Sequence, residues 1–393
     1  MKPLLMLSLD GLSPAAIGAY GCTWNHTPAL DAIAAGGWVA DRCCLRRDGD
    51  ETSVPDWCSQ DIMNVRNASG RTLLLTDDVD LARRVADTDA FSEVRFVGEI
   101  DTESKDERDG EADGEAGGFE STRLGRLIAE AILAETASLD ARAASLIWVH
   151  SRFLRDRWDG PLATLSDAPE IAMDPADEAD DEISHDEISQ DENLNGEISK
   201  DEKPHDGGRP SLPIPPPMLH FDEQSDPDEL SRWLERYASQ IRFVDYLVEA
   251  WLAASSFDDP QFALFSTAGF ALGQNGWLGY RAGPLRSSHL HAVAMVSDHG
   301  PMRWPHLIDD GWIKQLVRGG FAETMNAKAW ADPTGETHLR ITSARADLVV
   351  MTPSWLALRQ RDGTESLFLK PDDRFDKNDV ARLRPDILEE LLG

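Results

Sequence analysis

The sequence predicts an α/β protein in which a central mixed sheet carries helices on both of its faces. Two patterns support this class. Short apolar segments alternate with amphipathic helical segments up to about residue 300, and the remaining residues contain short strand-like segments before a final helix. We therefore expect a core of residues 1–320 and a small C-terminal α+β subdomain of residues 321–393.

Buried strands are predicted where apolar residues run together without helical periodicity. In the core these segments are residues 4–9, 71–75, 145–149, 261–266 and 291–297, and the weakly alternating residues 91–97 are predicted as an edge strand. In the C-terminal part, short hairpin strands are predicted at residues 348–350, 356–358 and 366–369. Residues 38–60 are polar and rich in cysteine and arginine, and they are predicted to form a loop at the edge of the sheet.

Helices are predicted where apolar residues recur every three or four positions. These segments are residues 27–37, 77–86, 122–137, 226–255 and 384–392. Thr27 and Thr76 stand just before the first two helices, so each is a candidate N-terminal cap.

The net charge of −33 is unevenly distributed along the 393 residues. Residues 99–120 contain ten acidic and two basic side chains, and residues 166–208 contain sixteen and two. Both segments have too few large apolar residues to offset the entropy of ordering them, so we predict disordered acidic insertions at about 99–120 and 166–217. The second contains a repeated Asp-Glu-Ile-Ser, whose role the sequence leaves open. We do not expect so acidic a chain to bind nucleic acid or an anionic membrane.

The four cysteines, at positions 22, 43, 44 and 58, include no Cys-x-x-Cys pair, so they do not predict a zinc knuckle or a redox motif. The N-terminal apolar run of residues 4–9 ends at Asp10. It is too short for the core of a signal peptide or for a membrane span. We therefore expect a cytoplasmic protein with reduced thiols.

Asp10 is the one charged residue of the first predicted strand, and it stands at the C-terminal end of that strand. Open α/β sheets bind their ligands at this edge, which makes Asp10 a candidate ligand-binding carboxylate. The alternative interpretation is a turn residue, because Gly11 follows and Asp-Gly is a common turn sequence.

The order of these elements and several short motifs resemble the sulfatases of the alkaline phosphatase superfamily. The opening motif combines a strand that ends in Asp, the pair Tyr20-Gly21, and Thr-Pro-x-Leu-Asp-x-x-Ala-x-x-Gly at residues 27–37. Further similar motifs follow in the family's order at residues 148–150, 236–245, 272–276 and 366–380. The resemblance covers nearly the whole chain outside the insertions. It implies an alkaline phosphatase-like fold and hydrolysis of sulfuric esters.

The resemblance also implies a metal site and a nucleophile. Sulfatases hold one hard divalent cation, usually calcium, with oxygen ligands, and they use a Cys or Ser that is converted to formylglycine. Here Asp10 matches one of the family's paired aspartates and Gly11 matches the other. The nucleophile motif Cys/Ser-x-Pro-Ser-Arg matches residues 53–57, Ser-Val-Pro-Asp-Trp, which lack the final Ser and Arg. His150 matches a histidine that contacts the sulfate.

Two registers are open for the family's metal-binding loop, Ser-Asp-His-Gly. In the first, the loop matches Ser-Thr-Ala-Gly at residues 266–269, so neither metal-facing side chain is kept. In the second, it matches a literal tetrapeptide that contains Asp298 and His299. That register would place them beside Asp10 and His150, as in a zinc phosphoesterase. The preceding long helix and the following glycine-rich loop favour the first register.

Three functional hypotheses follow. In the first, the chain is a sulfatase-like hydrolase of weak or absent activity. Asp10 would then be the metal ligand, Ser53 or Thr52 the nucleophile, and His150 a contact to a small-molecule or glycan sulfate ester. In the second, the chain is a phosphodiesterase or phosphatase with an unmodified Thr52 or Ser53 and zinc. In the third, the fold has lost catalysis and serves binding or regulation, which the missing metal ligands favour. The sequence leaves a protein partner open.

Overall fold

The computed structural model describes residues 2–47, 54–98, 119–136, 144–161, 214–319, 321, 338–343 and 347–393. These residues form a mixed α/β core and a C-terminal antiparallel sheet, which confirms the predicted fold class. Most of both predicted acidic insertions lies outside the described residues. The second insertion ends earlier than predicted, because Ile214 is buried and pairs with Trp158.

The described residues contain sixteen strands. They are β1 (Leu4–Asp10), β2 (Gly37–Cys44), β3 (Arg71–Thr76), β4 (Glu93–Phe96), β5 (Ala144–Ser151), β6 (Met218–His220), β7 (Gln261–Ala268), β8 (Ala271–Leu272), β9 (Trp277–Gly279), β10 (His291–Ala292), β11 (Ala294–His299), β12 (Met302–Asp309), β13 (Leu339–Thr342), β14 (Leu348–Met351), β15 (Trp355–Arg359) and β16 (Glu365–Leu369).

The helices of the described residues lie mainly between the strands of the core. They are α1 (Pro28–Gly36), α2 (Val54–Trp57), α3 (Gln60–Ser69), α4 (Val79–Ala86), α5 (Arg123–Thr136), α6 (Phe153–Asp156), α7 (Pro227–Ala254), α8 (Ser287–Leu290), α9 (Trp312–Arg318) and α10 (Pro385–Leu392).

The large sheet follows the order β12, β2, β11, β7, β1, β5, β3, β4, and the short β10 pairs with the end of β2. Strands β1, β3, β4, β5 and β7 are parallel to their neighbours in this set. Strand β11 runs antiparallel to both β2 and β7. The carboxyl ends of β1, β5 and β7 therefore lie together at one edge of the sheet.

Both faces of the large sheet are covered by helices. The residues of β1 alternate between two apolar layers: Leu5, Leu7 and Leu9 belong to one, and Leu4 and Met6 belong to the other. Helices α1, α5 and α7 contribute to the first layer, whereas α2, α3, α4 and α9 contribute to the second. A strand that is buried on both sides explains why the sequence of β1 is almost continuously apolar.

The prediction of a loop at residues 38–60 is wrong. Strand β2 occupies the first part of this segment and lies inside the sheet, between β11 and β12. Trp38 and Cys43, near the two ends of β2, are buried. Asp41 and Arg42 between them are only partly buried and interrupt the apolar pattern. Pairing on both sides therefore stabilises a strand that its own sequence does not indicate.

The predicted caps of α1 and α4 are also corrected. Asp78, not Thr76, caps α4, since its carboxylate accepts two backbone hydrogen bonds, at 2.9 and 3.0 Å. At the start of α1 the side chain of Thr27 makes no capping bond. Instead, Asp245 of α7 accepts backbone hydrogen bonds from the first turn of α1, at 2.8 and 3.3 Å. A long-range carboxylate therefore satisfies donors that a local cap was expected to satisfy.

The C-terminal unit contains an antiparallel sheet in the order β13, β14, β15, β16, with α10 packed against it. This arrangement confirms the predicted hairpin strands and the final helix. A third, small sheet is formed by β6, β9 and β8. Within the described ranges, no helix is both long enough and apolar enough to cross a membrane.

A buried arginine connects several elements at the edge of the large sheet where β1 and β5 begin. Arg66 of α3 is 1% exposed, and burial lowers its pKa to about 10. Its guanidinium donates to the carbonyls of Lys2 and Ser145 at 3.0 and 3.1 Å. It also donates to the last-turn carbonyls of Val317 and Leu316 in α9, at 2.8 and 3.3 Å. One side chain therefore connects the starts of β1 and β5 with α3 and α9.

We expect Arg66→Met to lower the free energy of unfolding by at least about 3 kcal/mol, because several buried carbonyls lose their donor. Urea unfolding followed by circular dichroism measures this difference. Arg84→Met, an exposed position on α4, is the matched control and should change stability by less than about 0.5 kcal/mol. Equal stabilities of the two variants would contradict the role of Arg66.

Candidate functional site

Two residues singled out in the sequence, Asp10 and His150, lie on adjacent strands near the carboxyl edge of the large sheet. Strand β1 lies between β5 and β7, pairs Ser8 with His150 and, after a bulge, pairs Asp10 with Ala268. Alternate residues of a strand face the same side. Ser8 and Asp10 therefore share the face of the sheet that is covered by α2, α3, α4 and α9.

Both carboxylate oxygens of Asp10 are already bonded within the chain. The residue is 2% exposed. Oδ1 accepts a hydrogen bond from the hydroxyl of Thr267 in β7. Oδ2 accepts one from Nη1 of Arg155 at 3.1 Å. The positive charge beside Asp10 therefore comes from an arginine of the protein itself.

Arg155 lies in α6, the single-turn helix that follows β5. Its guanidinium also lies over the ring of Tyr280, 4.6 Å from the ring centroid. Burial opposes the charged form of Arg155, but Tyr280 and Asp10 outweigh it and raise the pKa above its ordinary value. The cation beside Asp10 is therefore permanent at physiological pH.

The backbone of Gly11 explains why a second aspartate does not follow Asp10. Gly11 has a φ of +86°, in the left-handed region that favours glycine. A Cβ at this position would also lie 3.4 Å from Leu154. The hydroxyl of Tyr237 donates to the carbonyl of Gly11 at 2.7 Å and accepts from the amide of Ser13 at 2.9 Å, which holds the turn. The conformation of this turn therefore favours glycine at position 11.

A second buried carboxylate at this edge, Asp77, was missed as a site residue by the sequence reasoning. It accepts hydrogen bonds from the Ser151 hydroxyl at 2.7 Å and the Arg152 amide at 2.9 Å, and it lies 3.9 Å from Arg123. Burial raises its pKa in spite of these partners. The position of Asp77 could have identified it in the sequence, because Asp77 follows directly after β3 much as Asp10 ends β1.

His150 is fully buried at the same edge. Its Nδ1 lies 2.9 Å from the hydroxyl of Ser8, which also accepts a hydrogen bond from Trp148 Nε1 at 2.9 Å. The other ring nitrogen, Nε2, has no hydrogen-bond partner among the described residues. Trp57 of α2 stacks on Trp148, with ring centroids 6.5 Å apart. Helix α2 therefore packs on the layer to which His150 belongs.

The candidate nucleophiles Thr52 and Ser53 lie outside the described residues. The next residue, Val54, begins α2 and is buried in the layer that contains Trp148. Asp56, which stands where the family motif has Ser, forms an ion pair with Arg47 at 2.6 Å. Both partners of this pair are largely exposed.

The structure does not bring Asp298 and His299 to Asp10. Because β11 runs antiparallel to β7, its C-terminal end lies at the opposite edge of the sheet. There Asp298 accepts a hydrogen bond from Lys2 at 3.1 Å, and Nε2 of His299 lies 3.1 Å from the side-chain amide of Gln261. The register that joins them with Asp10 and His150 in one metal site is therefore wrong. Thr267 is the residue that contacts Asp10.

The described residues do not fit a calcium or a zinc ion at Asp10. In this part of the chain, no three His, Cys, Asp or Glu side chains lie close enough together to hold a metal ion. A calcium site needs six to eight oxygen ligands, and a zinc site needs three or four His, Cys or acidic ligands. Around Asp10 the chain offers instead the cation of Arg155 and the neutral hydroxyl of Thr267.

No family model matches this sequence, and no curated protein matches it. Solved structures do match over the whole chain. One is a protein in complex with its substrate, D-glucosamine-2-N,6-O-disulfate, with a TM-score of 0.63 at 10% identity, covering 100% of this chain and 96% of that one. Another is the phosphonate monoester hydrolase of Agrobacterium radiobacter, with a TM-score of 0.60 at 14% identity, covering 100% and 95%.

A third match is a 2-O GAG sulfatase, with a TM-score of 0.57 at 11% identity, covering 99% of this chain and 90% of that one. Identities this low establish the fold alone. The chain has the fold of the sulfatases and of the alkaline phosphatase superfamily, as the sequence resemblance implies.

We expect a double-mutant cycle of Asp10→Asn and Arg155→Met to give a coupling energy of about 1–3 kcal/mol, because Arg155 is the cation paired with the buried carboxylate of Asp10. Asp156, 3.6 Å from Arg155, still faces the guanidinium when Asp10 is changed. Urea unfolding of the wild type, both single variants and the double variant measures it. The exposed pair Arg384 and Asp386 is the control cycle, and its coupling should be much smaller because solvent screens exposed charges. Coupling no larger than in the control would show that the two charges do not depend on one another.

Proposed function

We propose that this chain is a sulfatase-fold protein that binds an anionic ligand and does not hydrolyse sulfuric esters. The observation that carries the proposal is the contact between Asp10 and Arg155. In it, a guanidinium stands beside the carboxylate that the resemblance assigns to the metal. An internal cation satisfies the buried charge of Asp10, so the fold does not need an external one for stability.

The chemistry of ester hydrolysis supports this proposal. A metal ion in such an enzyme stabilises the charge that develops on the transferring group, which is the largest part of catalysis in many enzymes. The charge of Arg155 is directed to Asp10, Asp156 and Tyr280 instead. Asp77, the other buried carboxylate of this edge, is likewise bonded to the chain through Ser151 and Arg152.

One observation favours a second candidate, a hydrolase of the same superfamily. Nε2 of His150 is buried and has no partner among the described residues, so it could face a reacting group. In this candidate Ser53 or Thr52 would be the nucleophile, with calcium for a sulfate ester or zinc for a phosphodiester. His150 is fully buried and bonded to Ser8, which favours a structural role in the present conformation.

We expect the purified protein to contain no stoichiometric calcium, manganese or zinc, and its melting temperature to be unchanged by millimolar additions of each. Arg155→Ala combined with Thr267→Asp removes the internal cation and adds a second carboxylate beside Asp10. This variant should gain a calcium-dependent rise in melting temperature, because a ligand that binds the folded state stabilises it. Elemental analysis and scanning calorimetry provide the two readouts.

A metal ion retained by the wild type at one equivalent, together with turnover of an aryl sulfate or a phosphodiester that Asp10→Ala abolishes, would overturn the proposal. Elemental analysis of the wild type decides this point even where the double variant does not fold. Thr267→Asp alone is the matched control, because it keeps Arg155 and is expected to show no calcium response.

A further inference from the structure

A cavity of about 350 Å³ lies between the large sheet and the C-terminal subdomain. Its floor is buried and is formed by Cys44, Leu307 and Met351. Its mouth is lined by the exposed residues Arg303 and Arg374. A cavity of this size, with an apolar floor and a few polar groups, is typical of small-molecule sites.

The cavity does not include Asp10, although both lie along the carboxyl edge of the large sheet. It lies at the carboxyl end of β2, three strand positions from β1, which corresponds to about 14 Å across the sheet. A second, smaller pocket is lined by Ser13, Ser287, His291 and Arg374. Ser287, His291 and Arg374 also line the cavity, so the two pockets are adjacent.

Two of the four cations that line the cavity are neutralised. Nε of Arg303 donates to the carboxylate of Asp41 at 3.0 Å. Lys370 forms a buried ion pair with Asp376, whose carboxylate also accepts hydrogen bonds from the backbone and hydroxyl of Ser287, at 2.7 and 2.8 Å. These pairs hold β2 to β12, and α8 to the segment after β16.

The hydrogen bonds of the other two cations, Arg42 and Arg374, go to carbonyl oxygens, and the guanidinium of Arg374 also lies 5.5 Å from the ring centroid of Phe375. Arg42 donates to the carbonyl of Thr352 at 3.5 Å, and Arg374 donates to that of Tyr20 at 3.1 Å. Among the described residues neither has a carboxylate within ion-pair distance. Burial lowers the pKa of Arg42, as expected for a cation that has lost water without gaining an anion.

A neighbouring histidine also lines the cavity. Nε2 of His291 donates a hydrogen bond to the carbonyl of Asp41, 2.9 Å away. Its pKa is lowered to about 4, first by burial and then by Arg374, with smaller contributions from Lys370 and Arg42. The imidazole is therefore neutral at physiological pH and adds no charge to the cavity.

We infer that this cavity binds an organic oxyanion, with a sulfate, phosphate or carboxylate group between Arg42 and Arg374 and an apolar body on Leu307 and Met351. Two unpaired guanidinium groups suit oxyanions, because they offer several donors in a fixed planar geometry. The inference rests on the binding role proposed above, to which it adds a location and a ligand class. It does not depend on the state of Asp10.

Calorimetric titration with p-nitrophenyl sulfate, p-nitrophenyl phosphate and p-nitrobenzoate tests the site, with p-nitroanisole as the neutral probe. We expect at least one ester or carboxylate to bind, and p-nitroanisole to bind at least about tenfold more weakly. Inorganic sulfate and phosphate show how much of the affinity the anionic group supplies without the apolar body.

Arg42→Gln and Arg374→Gln should each weaken binding of the best probe by about tenfold or more, since each removes a charge-assisted hydrogen bond. Arg382→Gln, an exposed change outside the cavity, is the matched control and should bind like the wild type. Unchanged affinity in the double variant, or no binding of any anionic probe to the wild type, would overturn the inference. Release of nitrophenolate during the titration would instead contradict the non-catalytic proposal and leave the binding site intact.

Discussion

The ion pair between Asp10 and Arg155 determines the chemistry available at the central edge of the sheet. Strand β1 is buried on both faces, so the carboxylate at its end lies away from water and needs a positive partner. Arg155 supplies that partner at 3.1 Å. Asp77 follows β3, which is two strands from β1. Its carboxylate likewise accepts a hydrogen bond from Ser151 and lies 3.9 Å from Arg123. The edge that resembles a metal site is thus internally neutralised.

The fold follows largely from local sequence patterns. The apolar runs of β1, β5 and β7 and the long periodicity of α7 predict the central sheet and its covering helices, and the structure contains all of them. Strand β2 could not be predicted, because Asp41 and Arg42 interrupt its pattern and its stability comes from β11 and β12. Long-range contacts also replace local ones at α1, where Asp245 performs the capping expected of Thr27.

The site follows from the sequence only in part. Asp10 is visible as the single charge at the end of an apolar run, and His150 is placed by the neighbouring strand. Arg155 is not visible in this way, because its contact with Asp10 spans 145 positions and depends on the turn of α6. Asp298 and His299 form a motif in the sequence, yet the antiparallel direction of β11 carries them to the far edge. Short motifs do not encode strand direction. The direction of β11 is therefore what distinguishes Thr267, which contacts Asp10, from Asp298 and His299, which do not.

The two regions differ in how their charges are paired. Asp10 is paired with Arg155, whereas Arg42 and Arg374 at the junction with the C-terminal sheet donate to carbonyl oxygens. Arg155, and not a metal ion, is expected to be the positive partner of Asp10. A high-resolution structure of crystals grown in millimolar calcium distinguishes the two partners. We expect guanidinium density within hydrogen-bond distance of Asp10 and no ion there, whereas a calcium ion bound to Asp10, with Arg155 turned away, would show that the arginine does not replace the metal.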